Sequence, residues 1–227
     1  MDSMFQPGTD WNPKQAQLKE LLAKPERFEE AKNLCLEMHS MLHSSVTQGS
    51  GSTLMDEVWE GLTDKAFVTM PTVKDVTVAW NIWHITRIED LTANILIGER
   101  EQVLDESWLK RLGVQVKDTG NAMTDDEILE LSKNLKMDEL KNYRDAVGSR
   151  TKELIDNLTL PDLKRKVRKE SIDRILEEGG VTKQGDSIWL LDFWGRKNIT
   201  GILLMPITRH QVGHLNDSLK LKKKLQK

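Results

Sequence analysis

Apolar residues recur along this chain at spacings of three and four, the period that returns side chains to one face of an α-helix. From Pro25 to about Ser45, the residues Phe28, Ala31, Cys35, Met38 and Leu42 form one such stripe, which predicts an amphipathic helix with a single buried face. A second stripe, from about Pro71 to Gly98, carries Val76, Trp80, Trp83 with His84, Ile88, Leu91 and Ile95. Thr72 and Asp75 resemble a capping box at its start, and Gly98 supplies a stop. A third helix is predicted from Asp138 to about Leu158, through Leu140, Tyr143, Val147, Thr151, Leu154 and Ile155. The last begins near Asn198 or Thr200 and runs into the lysine-rich end. Pro206 lies inside it, where a kink or a missing hydrogen bond is expected.

Shorter elements fill the gaps. Asn12-Pro13 opens a helix that stops near Pro25, and Thr124-x-x-Glu127 is a capping box for one ending near Leu135. Residues 159–180 read as two short helical pieces, "TQGSGST" (47–53) as a flexible break, and "SIWLLDFWG" (187–195) as a strand or a buried connector. The sum is an all-α chain: one helical-bundle domain over 1–227 with its core in 25–222. The long connections at 99–137 and 159–197 are expected to pack as a side layer of extra short helices.

Composition narrows the class of partner. Hydrophobic residues make up 38% and charged residues 30%, enough to bury a core and remain soluble. The 33 basic and 36 acidic residues leave a net charge of −3, so no electrostatic argument points to nucleic acid. Cys35 is the single cysteine, which rules out an intrachain disulfide and fits a reducing compartment. The start, MDSMFQPGTD, lacks the basic region and apolar run of a secretory signal, and no apolar stretch reaches the length of a membrane span. A cytoplasmic protein without a membrane partner is expected.

The candidate chemistry lies in the histidines. His210 and His214 are one helical turn apart and continue the face that runs from Leu203 and Ile207 to Leu221. His84 occupies the same kind of position between Trp80 and Ile88. One histidine on an apolar face is most often a hydrogen-bonded core residue. Three from two helices are harder to satisfy separately, because each imidazole needs partners for two ring nitrogens. One divalent cation resolves that by accepting three neutral nitrogens, and a three-nitrogen set leaves coordination positions open, as in catalytic sites. His39 and His43 share the four-residue spacing but sit beside the stripe residues Met38 and Leu42. They are expected on the flank or surface, with His39 the one able to line a cavity.

"WNIWHITRIEDLTANILI" together with the distant "LLMPITRHQVGHLND" resembles the DinB/YfiT-like superfamily of metalloenzymes. In it one histidine comes from the second bundle helix and an H-x-x-x-H pair from the last. The resemblance covers roughly residues 25 to 220. It implies a four-helix bundle with up-down-down-up connectivity, frequent homodimers, and a divalent metal, nickel or zinc, on His84, His210 and His214. It also implies chemistry with a low-molecular-weight thiol such as bacillithiol or mycothiol, that is, a thiol S-transferase acting on a small electrophile. Hydrolysis by the same metal and non-catalytic binding of a metal or small ligand stay open. Two further residues are candidates for catalysis. Asp217, three residues after His214, is placed to orient a ligand or act as a base. Arg87, a turn after His84, is placed to neutralise a substrate carboxylate, its alternative being an ion pair with Glu89 or another helix. Trp80 and Trp83 either wall a pocket or fill the core.

Overall fold

The computed structural model describes residues 6–226 apart from 49–50 and 73–74. The centre of the expected break at 47–53 therefore lies outside the described residues. Every regular element among them is helical; the one β-type pairing is an isolated bridge between Lys166 and Asn198. No helix among the described residues is long and apolar enough to cross a membrane. The helices needed below are α1 (Asn12–Leu22), α2 (Phe28–Met41), α3 (Val78–Glu89), α4 (Asp125–Asn134), α5 (Met137–Asp156), α6 (Lys169–Glu177), α7 (Gly185–Gly195), α8 (Ile199–Leu204) and α9 (His210–Leu225).

Five of them make the four-rod bundle, α2, α3, α5 and the broken rod α8–α9, and side-chain contacts fix their directions. Lys32 reaches the Asp156 carbonyl at 3.2 Å and Ser44 reaches Asp145 at 2.6 Å, so α2 and α5 are antiparallel. Arg87 donates to Tyr143 at 2.8 Å and Arg100 to the Arg150 carbonyl at 2.9 Å, so α3 and α5 run parallel. Asn81 meets His214 and His84 meets His210, so α9 returns antiparallel to α3. The connectivity is up-down-down-up.

α3 starts later than its stripe suggests. The cap is Thr77, whose hydroxyl accepts from the Trp80 N–H at 2.9 Å. The Thr72–Asp75 pair closes a separate turn upstream. Thr77 has extended backbone (φ −97°, ψ 163°), which breaks the helical path at that residue. The apolar stripe also understates the burial: every residue from Val78 to Ile97 is buried, Asn81, Arg87, Glu89, Asp90 and Asn94 among them. A helix buried all round has both its faces covered. Here the long connections supply the outer cover, with α6 packed on the π-helical continuation Asp90–Ile97.

"SIWLLDFWG" is neither a strand nor an irregular connector but most of α7. Its buried residues, Ser187, Leu190, Leu191 and Trp194, follow helical spacing. Ile188, Trp189 and Phe193 on the other positions are also apolar, which hides the period in the sequence.

In the last bundle helix Pro206 acts as expected. It has no N–H to give, and the chain passes through a π-helical turn, Met205–Arg209, between α8 and α9. The carbonyls freed by the break find other donors: Gln15 of α1 caps the Leu204 carbonyl at 2.9 Å, and the Thr208 hydroxyl caps that of Leu203 at 2.8 Å. This turn delivers the chain directly into His210.

Candidate metal centre

Across the α3–α9 contact the three imidazoles converge. The ring centroids of His84, His210 and His214 are 5.0, 4.7 and 4.6 Å apart pairwise, and one ligand atom from each lies within 4.8 Å of the others. His84 Nδ1 is 2.7 Å from the Thr119 carbonyl, which can only accept, so that nitrogen carries the proton and Nε2 presents its lone pair inward. His214 Nδ1 is 2.8 Å from Asn81 Oδ1, which orders this ring the same way. His210 is different. Its Nε2 lies 3.1 Å from His84 Nε2, and its buried Nδ1 has no partner. Two rings with outward N–H groups held by oxygens, and a third without an outer partner, fit a nitrogen-only donor set for a cation.

Burial also keeps the rings in the ligand form. It pushes His84 down to about 3, helped by the neighbouring His214, and His214 to about 4. His210 is held well below the ordinary imidazole value by burial and by the other two rings. This has a consequence for stability. In the unfolded chain these imidazoles take up protons near 6.5, while folded His84 does so only near about 3. Between those values the unfolded chain binds more protons, so the metal-free protein is expected to lose stability as pH falls. Urea midpoints at about pH 7 and about pH 5 check this, and an unchanged midpoint would contradict neutral, buried imidazoles.

The first long connection supplies the outer wall. Four consecutive carbonyls accept from α3 side chains: Lys117 from Arg87 Nε at 2.8 Å, Asp118 from Trp83 Nε1 at 3.0 Å, Thr119 from His84, and Gly120 from Trp80 Nε1 at 3.2 Å. Gly120 is required there, with φ of 77° and a Cβ position that would fall 2.7 Å from Trp80 Nε1. Trp80 in turn stacks on His84, with centroids 4.6 Å apart and planes at 9°. The second connection is tied to the same strap through Thr119 N–H and the Gly180 carbonyl at 3.1 Å.

The two catalytic candidates lie in different surroundings. Asp217 is exposed, 3.1 Å from Lys220, and lines a cavity that also touches His210 and His214. Arg87 is fully buried and lines neither cavity beside the imidazoles. Its guanidinium is bound to Asp90 at 3.0 Å, Tyr143 at 2.8 Å and Gln102 at 2.8 Å. The ion-pair partner is Asp90, not Glu89.

Glu89 belongs to a second buried cluster, and here the expectation of a flank or surface position for His39 and His43 is overturned. Both are fully buried. The reason is Gly148 on α5, where a Cβ would sit 2.2 Å from His43 Nδ1; without a side chain the third helix leaves a slot for the ring. His39 Nε2 meets Glu89 Oε1 at 2.8 Å, and His43 Nε2 lies 3.0 Å from Oε2 without hydrogen-bond geometry. Arg144 at 2.7 Å and Gln211 at 2.8 Å also hold Oε2. Burial alone would raise the Glu89 carboxyl, but His43, Arg144 and His39 hold it well below its ordinary value. His39, His43 and Glu89 also bring their ligand atoms within 4.8 Å of one another. The Glu89 oxygens, however, are already held by His39, Arg144 and Gln211, and Arg144 balances the carboxylate charge. The cluster reads as an internal ion-pair network joining α2, α3, α5 and α9.

Two cavities open onto the imidazoles, of about 430 Å³ and about 350 Å³. Sequence reasoning missed most of what surrounds them. Asn81 was findable, one turn before His84 on the same face. Thr119, Asn121 and the α7 aromatics had no local signal, because only the fold brings them there.

A family model described as the DinB superfamily matches residues 50–217. The chain belongs to the DinB superfamily. The matched span contains all three converging histidines, whereas His39 and His43 precede it. No curated protein matches the sequence.

Proposed function

We propose that this DinB protein is a metal-dependent enzyme that holds one divalent cation, nickel or zinc, on His84, His210 and His214 and transfers a small thiol to an electrophile. The observation that carries the metal site is the paired orientation of His84 and His214, each with Nδ1–H bound to an oxygen and Nε2 turned inward. A bound cation of this kind lowers the pKa of a thiol or water placed against it and so supplies a nucleophile near neutral pH.

The chain's own residues do the rest. Thr119 and Asn81 fix two ring tautomers, and the Trp80 face fixes the plane of His84. The apolar walls of the larger cavity suit an organic electrophile seated beside the imidazoles, which favours transfer over hydrolysis. Asp217, at the polar mouth of the smaller cavity, is the carboxylate available to take the thiol proton. Arg87 is assigned to anchoring the 117–120 strap rather than to substrate.

A panel of small thiols and electrophiles, run with metal-loaded and metal-free protein, tests the activity. Conjugation only with metal is expected; equal rates for both forms would end the proposal. Asn81→Ala should keep the fold and weaken metal binding by about 10–100-fold, the usual effect of losing an outer partner of a ligating histidine. Calorimetric titration reads this, and unchanged affinity would show that Asn81 does not orient His214.

A further inference from the structure

The two cavities beside His210 and His214 share these residues and Met205 but are otherwise unlike. The smaller is polar at its mouth, where Asn12, Arg209 and Asp217 lie. Arg209 donates to Asn12 at 3.1 Å and has no carboxylate partner among the described residues. The larger has no charged side chain in its wall among the described residues. Apart from the imidazoles and the indole N–H groups, Asn121 is the one polar side chain among the described residues of its wall, which also carries four aromatic rings, Trp80, Trp189, Phe193 and Trp194. Three of those four come from α7, within a long connection.

We propose that this larger chamber is the seat of the electrophile and selects an uncharged aromatic group, leaving the polar mouth to the hydrophilic thiol. The inference rests on the imidazole cluster being the reaction centre, and it deepens that reading by naming a substrate class. Three observations carry it. A charged group seated among the α7 aromatics, away from the imidazoles, would leave water and meet no charged side chain of the wall, which disfavours it. A flat apolar group instead covers apolar area and finds ring faces and edges to pack on. Finally, Trp189 is 49% exposed although its ring stands edge-on to Phe193 at 5.7 Å. An indole held at the rim of a cavity, its N–H already donated to the Asp186 carbonyl at 3.0 Å, offers a face that a planar ligand would cover. The cavity volume of about 430 Å³ accepts a group of one or two fused rings next to the imidazoles.

The test uses 2-naphthol as a neutral probe and 2-naphthoate as its charged counterpart, with full-length metal-free protein and the probe's own fluorescence anisotropy. Naphthol should bind, and naphthoate at least about tenfold more weakly. Trp189→Ala should weaken naphthol by about tenfold; the exposed rim position leaves folding intact, which circular dichroism verifies. Phe193→Ala gives a second, independent loss. Equal binding of the two probes, or naphthol affinity unaltered in both variants, would overturn the proposal. Calorimetric metal titration of the wild type separates the two readings: metal binding without naphthol binding sinks the chamber alone, and naphthol binding without metal sinks the metal centre alone.

Discussion

His84→Ala is expected to lose divalent metal altogether at concentrations that saturate the wild type. The ring is one of only three nitrogen donors, and no other imidazole can replace it: His39 and His43 are packed against Glu89 on a different face of α3. The loss should exceed the about 10–100-fold expected for removing an outer partner such as Asn81. The same result is expected for His214→Ala. Elemental analysis after dialysis, with calorimetry on wild type and both variants, measures it. Full metal content in His84→Ala would move the centre elsewhere, with the Glu89 cluster the next place to look. The fold should survive, because removing a buried neutral imidazole leaves no buried charge unpaired, although the Thr119 carbonyl loses its donor.

Asp90→Ala should have the largest effect on stability. The carboxylate is fully buried and accepts from Arg87 at 3.0 Å, Tyr143 at 2.7 Å, Asn94 at 2.8 Å, Val103 N–H at 2.7 Å and Leu104 N–H at 2.9 Å. Truncation leaves the Arg87 guanidinium in the core without an anion, and breaking such a pair typically costs about 3–5 kcal/mol. The damage is also expected to spread. Arg87 holds the Lys117 carbonyl, and the same strap presents Thr119 to His84, so metal affinity should fall with stability. Denaturant unfolding of the metal-free protein gives the first effect and metal titration the second. A loss below about 1 kcal/mol would show that Arg87 finds compensation the native structure does not reveal.

Much of this protein is legible in its linear pattern. Period-3.6 stripes located the four bundle helices, because each buries a face against its neighbours. Pro206 announced the break before His210 because a residue without an N–H cannot continue the backbone ladder. His84, His210 and His214 stood out because imidazoles on core-facing positions need a reason to be there. What the tertiary structure decided is everything that depends on residues distant in the chain. A buried carboxylate is tolerable only beside its counter-ion, so Glu89 could not be assigned until α5 brought Arg144 to it, and α5 also adds the Tyr143 hydroxyl to the Arg87–Asp90 pair. His43 looked like a flank residue because nothing nearby in sequence shows that Gly148, on another helix, leaves room for its ring. Arg87, one turn after His84 in sequence, turned inward because α3 is covered on its outer side by the 117–120 strap. The chamber was invisible for the same reason. The α7 aromatics border the imidazoles only after both long connections fold back over α3, a matter of packing between segments that local periodicity does not encode.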